Sequence, residues 1–272
     1  PPATDWNGND AAQFLQTAIR IDCAVAEAGI DYVSLGPVIS ESHSPSLLQA
    51  LPELFLQTQR TFASAQVTCD SRVLTGLLSE AASAIVRISV SPLSGFSNLR
   101  FAVMANCPAG IPFFPAAYSD GAGLSFALAM EAADLALNAC RGAASPTHAA
   151  SELQRSIESH AQTIEPAMDA VAKECGAKFT GCDWSLAPHP DPAISAVASI
   201  EALSGAAFGQ WGTLMAVAAL TGAIKRARAR RVGFCGVFLP VLEDAILAQR
   251  AAEKTFDLQR LLLYSSVCGA GL

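Results

Sequence analysis

Charge is scarce in this chain. Only 15% of its 272 residues are Asp, Glu, Lys or Arg, and the formal net charge is −7. A chain this poor in cations cannot neutralise phosphates in quantity, which excludes nucleic acid as a partner. The one basic run, Lys225-Arg226-Ala227-Arg228-Ala229-Arg230-Arg231, reads as a solvated helix end, where cations suit the macrodipole, rather than an anion-binding patch. Long apolar runs are absent too. The most apolar stretch, Leu214 to Ile224, is too short to span a bilayer, and no signal peptide opens the chain. The eight cysteines are scattered, with no Cys-x-x-Cys pair and no zinc-finger spacing, which points to a reducing cytoplasm and buried thiols. Missing as well are a Gly-x-Ser-x-Gly elbow, a His-Glu-x-x-His pair, a P-loop and a kinase signature.

Apolar residues, by contrast, make up 51% of the chain. That composition builds a large core under a thin charged coat, excludes disorder, and leaves surface for a second subunit to cover. With no repeat and no low-complexity linker, residues 1–272 are expected to form one domain. The chain opens on Pro1-Pro2 and stops on Gly271-Leu272 directly after an apolar segment, so it is expected to belong to a longer protein.

Helical and strand-like segments alternate. Asp10 can cap a helix from Ala11 to about Ala28. Strands are expected at Asp31–Leu35, Thr61–Val67, Leu99–Ala105, Ala177–Asp183 and Val232–Leu239, the last broken by Gly233 and Gly236. Helices are expected over Ser46–Thr58, Arg72–Arg87, Leu124–Cys140, His148–Cys175, Ile194–Leu203, Gly212–Arg228, Glu243–Ala252 and Asp257–Ser265. Apolar strands between helices favour a mostly parallel sheet covered by helices. A closed barrel and an open doubly wound sheet both fit that tally.

The most informative stretch is Asp183-Trp184-Ser185-Leu186-Ala187-Pro188-His189-Pro190. Two prolines stop a strand and leave an acid, an aromatic ring and a histidine at the break. Polar groups at a rigid strand end are how α/β folds build pockets. Asp183 can act as base or metal ligand, with His189 beside it; the plainer alternative has Asp183 capping the turn, His189 in solvent and Trp184 packed. Around Phe113 to Gly123, Phe114 can wall a cavity. Tyr118, Ser119 and the amides near Gly121 and Gly123 stand at an expected strand-to-helix junction and can receive an anionic group. Glu131 and Asp134 are expected on one helix face. Cys235, between glycines, and Cys268 are candidate nucleophiles if their pKa values are lowered and inert core thiols otherwise. Glu243 is a further polar contact, and Ser185 and Thr213 complete the expected substrate contacts.

These segments together resemble the uncharacterised PFL-like proteins, also called domain of unknown function 711. The family's Asp-x-Ser-Leu-Ala-Pro motif is matched by Asp183 to Pro188, and its Phe-Phe-Pro-Ala-Ala-Tyr segment by Phe113 to Tyr118. Gly212 to Leu220, Cys235 to Asp244 and Val267 to Leu272 are similar to three further family segments, in the family's order. The resemblance implies a barrel of mostly parallel strands surrounded by helices, related in shape to the glycyl radical enzymes. Cys235 stands where many relatives have Ser and His189 where many have Thr, so neither is implied as a family-wide catalytic residue. Arg231-Val232-Gly233-Phe234 superficially resembles a glycyl radical loop, but the spacing is off by one and no adjacent cysteine pair accompanies it.

The expected function is an enzyme of a small polar or anionic metabolite, using acid–base or metal-assisted lyase or hydrolase chemistry without a glycyl radical. A divalent metal is compatible with the acidic residues. The alternative is a non-catalytic metabolite-binding or sensor protein using the same pocket. A cytoplasmic homodimer with a small-molecule ligand, and no nucleic-acid or membrane partner, completes the expectation.

Overall fold

The computed structural model describes residues 2–3, 10–39, 44–70, 72–90, 92 and 94–272. Where one domain was expected, the chain divides into two compact units, Pro1–Gly123 and Leu124–Leu272.

In the first unit, helix α1 (Ala11–Glu27) starts where Asp10 accepts the Ala12 and Gln13 amides. Strand β1 (Val33–Val38), helices α2 (Ser44–Gln49) and α3 (Leu51–Gln57) and strand β2 (Thr61–Gln66) follow. Pro52 divides the single helix expected here: it occupies the first turn of α3, where its missing N–H costs nothing. A small antiparallel ribbon, β3 (Thr68–Cys69) with β4 (Arg72–Val73), precedes helix α4 (Thr75–Ser89) and strand β5 (Phe101–Met104). Helix α4 buries Leu77, Ala81, Ala84 and Ile88 on one face, while Val73 falls on the ribbon and is exposed. Strands β1, β2 and β5 form a parallel sheet in chain order. Ala63 and Ala65 of β2 share a core with Leu47, Leu51, Leu54, Phe55 and the buried face of α4.

A buried acid pins this sheet to α1. Asp22 accepts the Arg60 amide at 2.8 Å, the Thr61 hydroxyl at 2.8 Å and the Gln59 amide at 3.3 Å. Burial pushes its carboxyl up, but these donors outweigh it and hold Asp22 below the ordinary carboxylate value. A depressed folded value means that the contribution is whole above the unfolded pKa and is lost as pH falls through the folded one. Asp22→Asn is therefore expected to cost about 1–2 kcal/mol at neutral pH. In urea unfolding, that gap should close as the wild type is acidified below the folded pKa of Asp22.

The second unit runs β6 (Ser125–Ala129), α5 (Ala133–Cys140), α6 (Pro146–Cys175), β7 (Lys178–Asp183), α7 (Ala196–Ser204), α8 (Thr213–Arg226), β8 (Val237–Phe238), α9 (Ala245–Ala252), α10 (Leu258–Cys268) and β9 (Gly269–Gly271). Ser145 caps α6 through the His148 amide, and Gly176, at φ 62°, ends it. The helix expected from Leu124 is instead β6 and a short α5. Strands β6 and β7 pair in parallel, as do β8 and β9. Isolated parallel bridges, Cys182–Arg231 and Leu186–Val237, join the two pairs, so the strands lie side by side in chain order. Gly181, at φ 138°, admits the Arg230 carbonyl to within 2.5 Å of where a Cβ would stand.

The core beside these strands holds Trp184, Phe208, Leu153, Ile157, Val217 and Leu220. Arg250 of α9 pairs with Glu201 of α7 at 2.6 Å, and the Phe208 amide donates to the same carboxylate. In the basic run, the Arg231 guanidinium caps the α8 carbonyls of Ile224, Lys225 and Ala227, and Arg230 grips Asp169 through two bonds. The fold is thus mixed α/β, with parallel strands in small sheets among helices. No closed barrel is formed among the described residues.

Candidate functional site: a strand-end rim in the second unit

Because β6, β7 and β8 are parallel, the loops that follow them emerge at one edge. The rim comprises residues 130–132, 184–195 and 239–244. Beneath it lies Asp183, the last residue of β7, with no exposed surface. Its Oδ1 accepts the Ser185 amide at 3.0 Å, the Ser185 hydroxyl at 2.6 Å and the Cys235 amide at 2.9 Å, and its Oδ2 accepts the Phe234 amide at 2.7 Å. A carboxylate has about four lone-pair sites. Three of these bonds fall on Oδ1 and one on Oδ2, and the whole carboxylate is buried, so Asp183 serves as a peg that joins the end of β7 to the loop entering β8.

The neighbouring candidates are drawn into the same structure. The Ser185 hydroxyl also accepts the Gly236 amide. Cys235 stands at φ 48°, an uncommon angle for a residue with a side chain, while its amide is held by Asp183. Burial pushes its thiol up to about 11, the reverse of what a nucleophile needs. The Thr213 hydroxyl donates to the Gln210 carbonyl and accepts the Gly209 amide at the start of α8. Cys268 is buried, and that burial raises its thiol although the Ala270 and Gly271 amides pull the other way.

The rim itself carries Glu131, His189 and Glu243. Glu131 lies ahead of α5 rather than on it, exposed and at φ 48°, between the Met130 and Ala132 amides that donate to the Asp183 and Ser185 carbonyls. It does not share a helix face with Asp134, which lies in the first turn of α5. His189 is half-buried. Its Nδ1 accepts the Asp191 amide at 2.9 Å, so the neutral ring carries its proton on Nε2. Its carbonyl accepts the Ala245 amide at 3.1 Å. Glu243 is exposed at the surface, and the protein atoms packed around its carboxyl raise its pKa.

The other expected contacts belong to the first unit. The Tyr118 hydroxyl donates to the Cys107 carbonyl at 3.0 Å, and the Cys107 amide donates to Gln66. Burial, with Cys107 and Asp120 nearby, raises the phenol. Phe114 packs against Phe62 and Tyr32, with ring centroids 5.3 and 6.1 Å away. Strand β6 follows where a helix start was expected, so no helix N-terminus succeeds Ser119. The Gly121 amide donates to the Ser119 hydroxyl and the Ala122 amide to Asp120. Gly123, at φ 109°, turns the chain just ahead of β6.

One buried acid escaped recognition. Asp244 is 1% exposed and accepts four bonds: from the Ser195 hydroxyl at 2.7 Å, the Ala196 amide at 3.0 Å, and the Ile246 and Leu247 amides at 3.1 Å each. In sequence it looks like any acid opening a helix. Its long-range partner, Ser195, carries no local signal. Among the described residues no group of three or more His, Cys, Asp and Glu side chains is set to hold a metal ion. A surface hollow of about 340 Å³ lies at the far end of α5 from Glu131, lined by Arg141, His148, Glu152 and Ser156 among others.

The thiols provide a check on this arrangement. Cys23, Cys69 and Cys175 are exposed and the other five are buried. Reaction of the native protein with Ellman's reagent is expected to modify those three quickly and the rest only on unfolding. Rapid native modification of Cys235 or Cys268 would contradict the packing described.

No helix among the described residues is long and apolar enough to cross a membrane. Residues 3–272 match the family model described as "Uncharacterised ACR (DUF711)". A UPF0210 protein of Pyrobaculum arsenaticum is 30% identical over 97% of this chain and 60% of its own length. A UPF0210 protein of Sulfurisphaera tokodaii is 29% identical over 97% of this chain and 61% of its own, and one of Methanosarcina acetivorans 26% over 95% and 59%. The chain thus spans about 60% of the length of these curated relatives. On its match over nearly every residue, this chain belongs to the uncharacterised DUF711 family.

Proposed function

We propose that the chain carries part of an enzyme that transforms a small polar metabolite by acid–base chemistry at the strand-end rim of its second unit. Glu243 and His189 transfer protons, Glu131 is a further contact, and Asp183 organises the floor. One observation carries this reading. Asp183, Ser185 and Thr213 spend their polar atoms inside the fold, whereas the Glu243 carboxylate makes no hydrogen bond among the described residues and His189 keeps Nε2–H to give. An upward-shifted carboxyl on the same rim as an imidazole of fixed tautomer offers an acid and a base for proton transfer. His189 departs from the family pattern noted above, so its part belongs to this chain and Glu243 carries the shared one. The rim loops hold Glu131, Asp191, Glu243 and the buried Asp244 and no Lys or Arg. That balance favours neutral or cationic substrates over anionic ones. No stored radical is needed.

The winding supports a barrel in the full-length protein. Among the described residues of each unit the parallel strands neighbour one another in chain order, with none of the reversal that marks a doubly wound sheet. Leu258, Leu262 and Leu263 of α10 are at least half exposed, which supports the proposed homodimer; sedimentation at a monomer mass would remove it. Eight unpaired thiols support a reducing compartment.

A binding or sensing role is the second reading, favoured by the complete burial of the Asp183 carboxylate among backbone amides. A panel of polyols, amino acids and amines, followed by melting temperature and by NMR for turnover, tests both. A true ligand at about 100 times its Kd adds about 2.7 kcal/mol, some 5–10 °C for a domain of this size. Glu243→Gln should abolish turnover if the chain is an enzyme. Stabilisation without turnover selects the sensor. If a stabilising compound acts equally on Glu243→Gln and His189→Gln, the rim is not the site.

A further inference from the structure

The rim histidine sits on a loop held at both ends by one dipeptide. At its start, the His189 carbonyl accepts the Ala245 amide at 3.1 Å. At its end, the Ser195 hydroxyl and Ala196 amide donate to the Asp244 carboxylate at 2.7 and 3.0 Å. Between these points the loop braces itself. Asp191 gives its amide to His189 Nδ1 at 2.9 Å, and its carboxylate accepts the Ala193 amide at 2.8 Å. The same Asp244 carboxylate caps α9 through the Ile246 and Leu247 amides, and Glu243 is the residue just before it.

We propose that Asp244 is a positioning residue: with Ala245 it clamps both ends of the 189–196 loop and so fixes how His189 is presented on the rim that carries Glu243. The inference rests on the acid–base reading of that rim. The carboxylate has two tasks that no neutral residue of its size performs together. It satisfies four donors from two helix starts, and it ties the loop after β7 to the loop after β8. Capping α9 alone would need only the Ile246 and Leu247 amides. The bonds to Ser195 and Ala196, 49 and 48 residues away along the chain, are the part that acts on His189.

The test reads His189 directly and needs no ligand. Imidazole nitrogen-15 spectra of the full chain resolve four histidines, with His189 assigned by its loss in His189→Gln. Wild type is expected to show one neutral tautomer, protonated on Nε2. In Asp244→Asn that signal should move toward the mixed pattern of a free imidazole, while the circular dichroism of the helices is retained. Ser195→Ala, which removes the hydroxyl bond to Asp244 and the Ala198 cap of α7 but leaves the α9 cap, should move it the same way by a smaller amount and serves if Asp244→Asn does not fold. A purely structural Asp244 would lower the melting temperature and leave the tautomer alone. An unchanged His189 signal in the folded variants overturns the proposal. The rim reading fails separately, when His189→Gln and Glu243→Gln leave ligand stabilisation intact.

Discussion

Asp183→Ala is expected to cost about 4 kcal/mol of unfolding free energy, a large share of the roughly 5–15 kcal/mol that holds an ordinary domain folded. The carboxylate is wholly buried and receives three backbone amides and one hydroxyl. Truncation strands the Ser185, Phe234 and Cys235 amides away from water. Each buried unsatisfied group costs about 1–3 kcal/mol, and losses above about 4 kcal/mol are confined to changes of this kind. Asp183→Asn should cost about 2 kcal/mol, because an amide keeps one acceptor oxygen and points a donor at amides that also donate. Urea unfolding followed by tryptophan fluorescence measures both. If Asp183→Ala is as stable as wild type, the carboxylate is not the peg described, and a free chemical role for it regains ground.

Gly236→Ala should cost about 3 kcal/mol, at the upper end for overpacking. A methyl group there would overlap the Cys268 carbonyl oxygen and stand 2.6 Å from the Gly269 carbonyl carbon. Those are backbone atoms where α10 passes into β9, not side chains that can swing away. The variant must part β8 from β9, lengthening the bond from the Leu239 amide to Gly271. Hydrogen exchange at Leu239 should accelerate in the variant, whereas Gly271→Ala, which meets no atom within 4 Å, should leave it unchanged.

Much of the second unit's helical structure was legible from local chemistry. Ser145 and Gly176 bracket α6, and Gly205 ends α7, as cap residues with the side-chain or left-handed geometry those positions need. Strand β6 was not legible. Its Ser125-Phe126-Ala127-Leu128-Ala129 run sits in an alanine-rich stretch that favours a helix in isolation, and pairing with β7 overrides that preference. Division into two units left no linker signature. At the candidate site, the Asp183 turn stood out because two prolines end its strand. What the carboxylate does there depends on Phe234 and Cys235, some 51 residues on, and sequence spacing carries no trace of such contacts. Asp244 was hidden for the same reason. Glu131 was misplaced by one element, since a left-handed residue just before a helix resembles its first turn.

Crystals soaked with small polar fragments offer the most direct measurement on the central claim, that the second unit's strand-end rim is where chemistry happens. The account predicts density within about 3.2 Å of His189 Nε2 or the Glu243 carboxylate, displaced in Glu243→Gln crystals. Fragments gathering elsewhere, in the hollow beside Arg141 and His148 or on the first unit, while the rim takes none, would contradict it.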